Sequence, residues 1–208
     1  MKVIVIGSTG IIGSAVVRAL GGRHQVVGAS RHGEPRVDLQ DQTSIEALFR
    51  AVGDLDAVVC CAGDASFKPL AHLTDQDFAS SLNNKLMGQV RVIRAALPVV
   101  KAGGSITVTS GTAAQRPSRG AAVYSLINAA LEGFVRAAAL EAPRSVRVNA
   151  VSPPWVDETL ARLGLQAQEH LPAAQVAKAY VAAVEGKYQG AVLEAARFAD
   201  AVDSTFAL

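Results

Sequence analysis

The sequence predicts an α/β fold: a single Rossmann-type domain over residues 1–208, with about seven parallel strands doubly wound and helices on both faces. Three observations carry this reading. Short apolar runs recur along the chain, and they are near-continuous in Val, Ile and Leu, as parallel strands covered on both faces require. Longer segments with helical spacing separate them, so strand and helix alternate as in repeated crossover units. Gly7, Gly10 and Gly13 stand between the first apolar run and the first helical segment, where a phosphate-cradling turn needs them.

In chain order, "KVIVI" (2–6) is the first strand and a helix begins near Ile11. "QVVGAS" (25–30) is the second strand, followed by a short one near "RVDL" (36–39). A helix then begins near Thr43, whose hydroxyl and the Glu46 carboxylate have the spacing of a capping box. "DAVVCC" (56–61) precedes a helical stretch from Asp75, and "SITVTS" (105–110) precedes one from Gly120. "VRVNAVS" (146–152), a helix from Ala173 and "AVLEA" (191–195) complete the pattern. Neither internal repeats nor low-complexity tracts interrupt it.

Composition narrows the function classes. The chain has 208 residues, is 50% apolar and carries a net charge of +2 with its basic residues scattered, so no nucleic-acid footprint is expected. No stretch approaches the ~20 apolar residues of a membrane span, and the N-terminus lacks the long apolar region and cleavage site of a signal peptide. The two cysteines, Cys60 and Cys61, are adjacent, which fits a reducing cytoplasm and small packing residues rather than a disulfide or a nucleophile. His24, His32, His72 and His170 lie far apart, so no metal site is expected.

The glycine loop is the first candidate site. Glycine lets backbone amides approach a pyrophosphate held at the helix N-terminus, which makes Gly7, Ser8, Thr9, Gly10, Ile11, Ile12 and Gly13 the candidate cradle. The spacing is GxxGxxG, and a glycine-rich turn without a ligand is the bland alternative. At the end of the second strand an acid would accept bonds from a free ribose hydroxyl. Here Ser30 and Arg31 stand instead, and a guanidinium clamps a 2'-phosphate with charge-assisted bonds. NADP is therefore expected over NAD, against the alternative of a plain loop arginine.

With these residues in place the chain resembles the short-chain dehydrogenase/reductase family over nearly its whole length. "IGSTGIIG" is similar to the family's glycine loop, Asp38 to the acid that touches the adenine amine, and "CCAG" to the NNAG segment, with Cys61, Ala62 and Gly63 as cofactor contacts. "SITVTSG" and "YSLINAALEGF" resemble the serine strand and the tyrosine helix. "VRVNAVSPPWVDET" resembles the stretch that closes over nicotinamide, which brings in Pro153 and Val156. The resemblance implies hydride transfer between NADP(H) and a small carbonyl or alcohol substrate, with Tyr124 as proton donor, and a homodimer or homotetramer as the assembly.

The departures from the family pattern concern catalysis. The motif YxxxK is here Tyr124 and Asn128; the serine position falls on Gly111, with Ser110 just before it; the asparagine position falls on Lys85. A free tyrosine ionises at about 10, so making it a base at neutrality costs roughly 4 kcal/mol, and neutral Asn128 offers about 1 kcal/mol of hydrogen bonding. Asn128 keeps a possible ribose contact, one helix turn from Tyr124. Lysine and asparagine have exchanged places if Lys85 turns inward; otherwise it is a solvated helix residue. Ser110 is either the carbonyl-orienting hydroxyl or a strand-end serine facing elsewhere. Trp155 walls the substrate or packs in the core. The segment between 153 and 172 is short for the family, which predicts a shallow, open pocket. The alternative to an oxidoreductase is a catalytically weak NADP-binding sensor.

Overall fold

A computed structural model describes residues 1–200; positions 201–208 of the expected domain lie outside the described residues. Six strands form one parallel sheet: β1 (Lys2–Ile6), β2 (Gln25–Ala29), β3 (Leu55–Cys60), β4 (Val100–Thr109), β5 (Arg147–Ser152) and β8 (Val192–Glu194), in the order β2-β1-β3-β4-β5-β8. All their pairings are parallel, and the order reverses between β1 and β3. In open α/β sheets that reversal opens a crevice at the carboxyl ends of the strands.

Helices cover both faces. Against one lie α2 (Gln42–Val52), α4 (Met87–Ala96) and α5 (Ala122–Glu141), with Ile45, Phe49, Ile93, Leu131 and Val135 packed on Ile4, Val58 and Ile106. Against the other lie α1 (Ile11–Gly21) and α7 (Ala173–Glu185), whose Val16, Leu20, Val176 and Tyr180 pack on Val3, Val5 and Val59. The alternation of inward positions along each strand assigns odd and even residues to the two layers.

Three local expectations are corrected. The strand near 36–39 is only a bridge between Ser30 and Arg36, so the main sheet has six strands. Pro35 has no amide to give to a ladder, and the Asp38 amide donates to Ser44 Oγ at 3.0 Å instead of to a strand. At α2 the cap is Asp41, which accepts from the Thr43 amide at 2.8 Å. A carboxylate two residues earlier thus takes the place expected for the Thr43–Glu46 box, and Glu46 accepts from Gln42. The reciprocal box forms at α3 (Asp75–Ser81), between Thr74 and Asp77. Finally, α5 is long and apolar enough, by length and composition, to cross a membrane, contrary to expectation. It packs on the sheet here through Leu131, Val135 and Ala139.

Two features near the site were not anticipated. Residues Leu82–Leu86 make a π-helical turn between α3 and α4. After β5 the chain forms β6 (Trp155–Val156), α6 (Asp157–Leu163) and β7 (His170–Leu171), with β6 and β7 paired in a small parallel sheet.

Gly13 shows how tightly the loop after β1 is wound: a Cβ there would lie 2.0 Å from the Gly7 carbonyl oxygen. Gly13→Ala is therefore expected to destabilise the fold by about 3 kcal/mol, the upper end for overpacking. Calorimetry reads this as a fall in thermal midpoint of several degrees.

Candidate active site

The crevice at the ends of β1 and β3 is lined by backbone. Gly7 adopts φ +85°, and a Cβ on it would meet the Ala62 amide nitrogen at 2.9 Å. The Cys61 amide donates to the Ile6 carbonyl at 2.8 Å, so the two strand ends are held together. Glycine at position 7 supplies both the left-handed turn and the close approach. The Gly7 and Ser8 amides donate to the Ala29 carbonyl, and the Gly10 amide to Gly7. Gly10 caps α1 without a side chain, and no acid stands in the first turn. The first-turn amides of Ile11 and Ile12 have no partner within the helix and lie at the positive end of its dipole, whereas Gly13 is buried. Thr9 and Gly10 are exposed at the rim.

At the end of β2, the Ser30 hydroxyl is buried and has no protein partner. Arg31 beside it is exposed. Asp38 is half-buried, and its carboxylate accepts from the Gln40 amide at 3.0 Å.

Further along the crevice, Tyr124 sits in the first turn of α5. Its hydroxyl donates to Asp64 Oδ1 at 3.1 Å. Asp64 directly follows the glycine that ends "CCAG", and Asp64 Oδ1 also accepts from the Ala65 amide at 2.9 Å. Burial first, then the Asp64 carboxylate, push the Tyr124 hydroxyl up to about 12, so the phenol is neutral across the physiological range. Phe67 packs edge-on against both Tyr124 and Trp155, with centroids 6.5 and 5.2 Å apart.

Lys85 projects from the π-helical turn and is buried. Its Nζ lies 5.9 Å from the centroid of the Tyr124 ring and donates to the Thr109 carbonyl at 3.3 Å. The same carbonyl accepts from Gln89 Nε2, and the Thr109 amide donates to Gln89 Oε1 at 2.7 Å. Gln89 thereby fixes the end of β4 on which Lys85 rests. Gly63 leaves room for the lysine, since a Cβ there would press on its Cα and Cγ at 3.1 Å. Burial pushes the Lys85 ammonium down to about 8, partly offset by Cys60, Asp64 and Cys61. π-Turns of this kind commonly mark functional positions.

Two other named residues face elsewhere. Ser110 Oγ donates to Glu132 Oε1 at 2.6 Å, and Gln115 donates to the other oxygen of this buried carboxylate. Asn128 is buried, with Nδ2 donating to the Gly111 carbonyl at 3.4 Å. Its Oδ1 is sealed from solvent without a protein partner. The structure thus brings Tyr124 and Lys85 together and turns the Ser110 and Asn128 side chains into the protein. Pro153 and Val156 are buried beside the crevice, and the Pro153 carbonyl accepts from the Thr112 amide at 2.9 Å. Burial pushes the thiols of Cys60, to about 12, and Cys61 upward, in keeping with packing residues. Sequence reasoning missed Asp64, Phe67, Gln89 and Glu132. Adjacency to "CCAG" was the one signal available for Asp64.

Phe67, which packs on Tyr124, also walls an open cavity of about 600 Å³ with Pro69, Leu70, Pro117, Arg119 and Ala122. It has the size of a small-molecule site.

Fold and site together define a Rossmann-type α/β protein with a tyrosine–lysine pair at its crevice. The chain belongs to the short-chain dehydrogenase/reductase family, and the family model described as enoyl-(acyl carrier protein) reductase matches residues 19–192. The protein lin1944 from Listeria innocua superposes with a TM-score of 0.90 at 34% identity, covering 93% of this chain and 98% of that one. A small-chain dehydrogenase solved in complex with NADPH gives 0.82 at 26% identity, with 93% and 95% covered. Hydroxynaphthalene reductase arp2 of Aspergillus fumigatus is 35% identical over 132 residues, 61% of this chain and 48% of the relative. The chain thus spans about half the length of the curated relatives it matches.

Proposed function

We propose that the protein is an NADP(H)-dependent oxidoreductase that interconverts a small carbonyl compound and its alcohol, with Tyr124 moving the proton at the substrate oxygen. The observation that carries this reading is the Tyr124 hydroxyl at the crevice with the buried Lys85 cation against its ring.

The residues fit a dinucleotide. The N-terminus of α1, capped by Gly10 and with no acid in its first turn, suits a diphosphate, and the partnerless Ser30 hydroxyl with Arg31 suits a 2'-phosphate. The structural relative carrying NADPH supports the same choice. When bound, the nicotinamide supplies or accepts hydride at the substrate carbon. The chain's own part is the proton. Tyr124, neutral and half-buried, donates it to the carbonyl oxygen. Lys85 stabilises the phenolate charge that develops, doing from the π-turn what the lysine of YxxxK does from the tyrosine helix. Asn128 holds the Gly111 peptide, and Ser110 serves the Glu132 network rather than the substrate.

The outward face of α5, with Leu126, Ala129, Ala130, Gly133, Ala137 and Leu140 exposed, suits pairing with a second copy, and sedimentation velocity tests for the resulting homodimer. Free Cys60 and Cys61 fit a reducing, cytoplasmic setting.

The reading is tested by NADPH consumption across aldehydes, ketones and quinones. Turnover on one of these classes is expected, with NADH a poorer donor. Tight NADPH binding without turnover on any of them replaces this reading with that of a cofactor sensor. Arg31→Ala is expected to raise the Kd for NADPH about 10- to 100-fold, the value of one to two charge-assisted bonds, and to leave NADH binding unchanged. Titration calorimetry with both nucleotides checks it.

A further inference from the structure

We propose that Asp64 is the far end of the proton path: it takes the Tyr124 proton during alcohol oxidation and returns one to Tyr124 during carbonyl reduction. The inference rests on the reading of Tyr124 as the group that exchanges a proton with substrate.

Direction is the first argument. The Tyr124 O–H points at Asp64 Oδ1, 3.1 Å away, so the lone pairs of the phenol oxygen are left for an incoming hydroxyl. A tyrosine held this way accepts a proton only as it gives up its own, and the carboxylate is placed to receive it. Access is the second. Asp64 is exposed, so a proton arriving there passes to water, whereas Lys85 is buried and bonded to the Thr109 carbonyl. The third is anchorage. The Asp64 amide donates to Asn84 Oδ1 at 3.1 Å, and Asp64 Oδ1 itself accepts from the Ala65 amide. Asn84 belongs to the π-turn that carries Lys85, so both charged groups are fixed by one element.

The step balances. In oxidation the substrate O–H bond breaks as an O–H bond forms on Tyr124 Oη, and the Tyr124 O–H breaks as one forms on Asp64 Oδ1. The hydride leaving the carbinol carbon goes to the oxidised nicotinamide. No free tyrosinate is required, which matters because burial and Asp64 hold this phenol up at about 12. In reduction every transfer reverses, and the proton enters through protonated Asp64. The charged groups that face this path are Asp64 on the loop after β3, Lys85 on the π-turn and Arg162 on α6; the Cys60 and Cys61 thiols behind Lys85 are neutral.

Asp64→Asn keeps the shape and the Ala65 contact but cannot take a proton. The expected result is a loss of about 100-fold or more in kcat for oxidation, a changed pH–rate profile, and partial rescue in Asp64→Glu. Independently of turnover, removing the carboxylate is expected to lower the ionisation pKa of Tyr124, which Asp64 raises by its charge and by accepting the phenol's hydrogen bond. Ultraviolet difference spectra of the cofactor-free protein read this, with Tyr124→Phe subtracted to remove Tyr180 and Tyr188. Full oxidation activity with an unchanged pH profile in Asp64→Asn, beside a dead Tyr124→Phe, overturns the relay and leaves the functional reading standing. A Tyr124 ionisation unmoved by Asp64→Asn overturns the relay as well. Full activity in Tyr124→Phe overturns the functional reading and the relay with it.

Discussion

Tyr124→Phe is expected to lower kcat by about 10²- to 10⁴-fold in both directions, the usual value of a positioned acid–base group. That is about 3–5 kcal/mol of barrier. The substitution removes one oxygen and leaves the ring. The ring's edge contact with Phe67 at 6.5 Å and its place over Lys85 Nζ persist, and the lost hydrogen bond to Asp64 is worth about 1 kcal/mol at most at a half-exposed position. The thermal midpoint should therefore move by only a few degrees, and the NADPH Kd by less than threefold. A loss in kcat with folding and cofactor affinity intact assigns the hydroxyl to chemistry. A parallel loss of NADPH affinity would instead make Tyr124 chiefly a cofactor contact.

What the sequence revealed, and what it hid, follows from how each feature is encoded. The glycine loop was legible because its requirements are backbone ones. Gly7 needs a positive φ and closeness to Ala62, and Gly13 has no room for a Cβ, so only one residue type serves and the spacing betrays it. The strand near 36–39 was not legible, because whether an edge segment pairs depends on competing partners such as Ser44 Oγ. Ser110 illustrates register: one residue's offset along an extended chain reverses the side chain, and here it delivers the hydroxyl to Glu132.

The tyrosine was identifiable from its helix, but its surroundings come from three segments far apart in sequence. Asp64 lies on the loop after β3, Lys85 on a π-turn and Trp155 on β6. The extra residue of a π-turn rotates everything after it relative to an ideal helix, so helical periodicity alone could not aim Lys85. Alignment of "NNKLMGQV" could name the position; only the fold could turn it inward.

Lys85→Met is expected to raise stability and abolish most activity together. The folded protein holds this ammonium at about 8 instead of 10.5, chiefly through burial. A lysine lowered in the native state destabilises it: the cost is complete below about pH 8, where both states are charged, falls between about 8 and 10.5, and is gone above 10.5, where both are neutral. The difference corresponds to about 3 kcal/mol at pH 7, and because Lys85 is only 6% exposed, solvent screening takes little from it. Methionine has nearly the same length and no charge, and it gives up the bond to the Thr109 carbonyl, about 1 kcal/mol, and the contact of the ammonium with the Tyr124 ring, about 0.5–1 kcal/mol. The net gain of about 1 kcal/mol should raise the thermal midpoint by roughly 2–4 °C at pH 7, and the gain should shrink in scans at successively higher pH. Turnover should fall about 100-fold, since the other cation acting on Tyr124, Arg162 on α6, has the smallest influence on its ionisation. In the unsubstituted protein, activity that depends on this cation should decline as pH rises through about 8, and the residual activity of the variant should lack that decline. A protein that tolerates a buried charge worth removing for stability is keeping it for another purpose. A Lys85→Met variant that is more stable and equally active would show that the charge serves neither folding nor chemistry, and would remove Lys85 from the site.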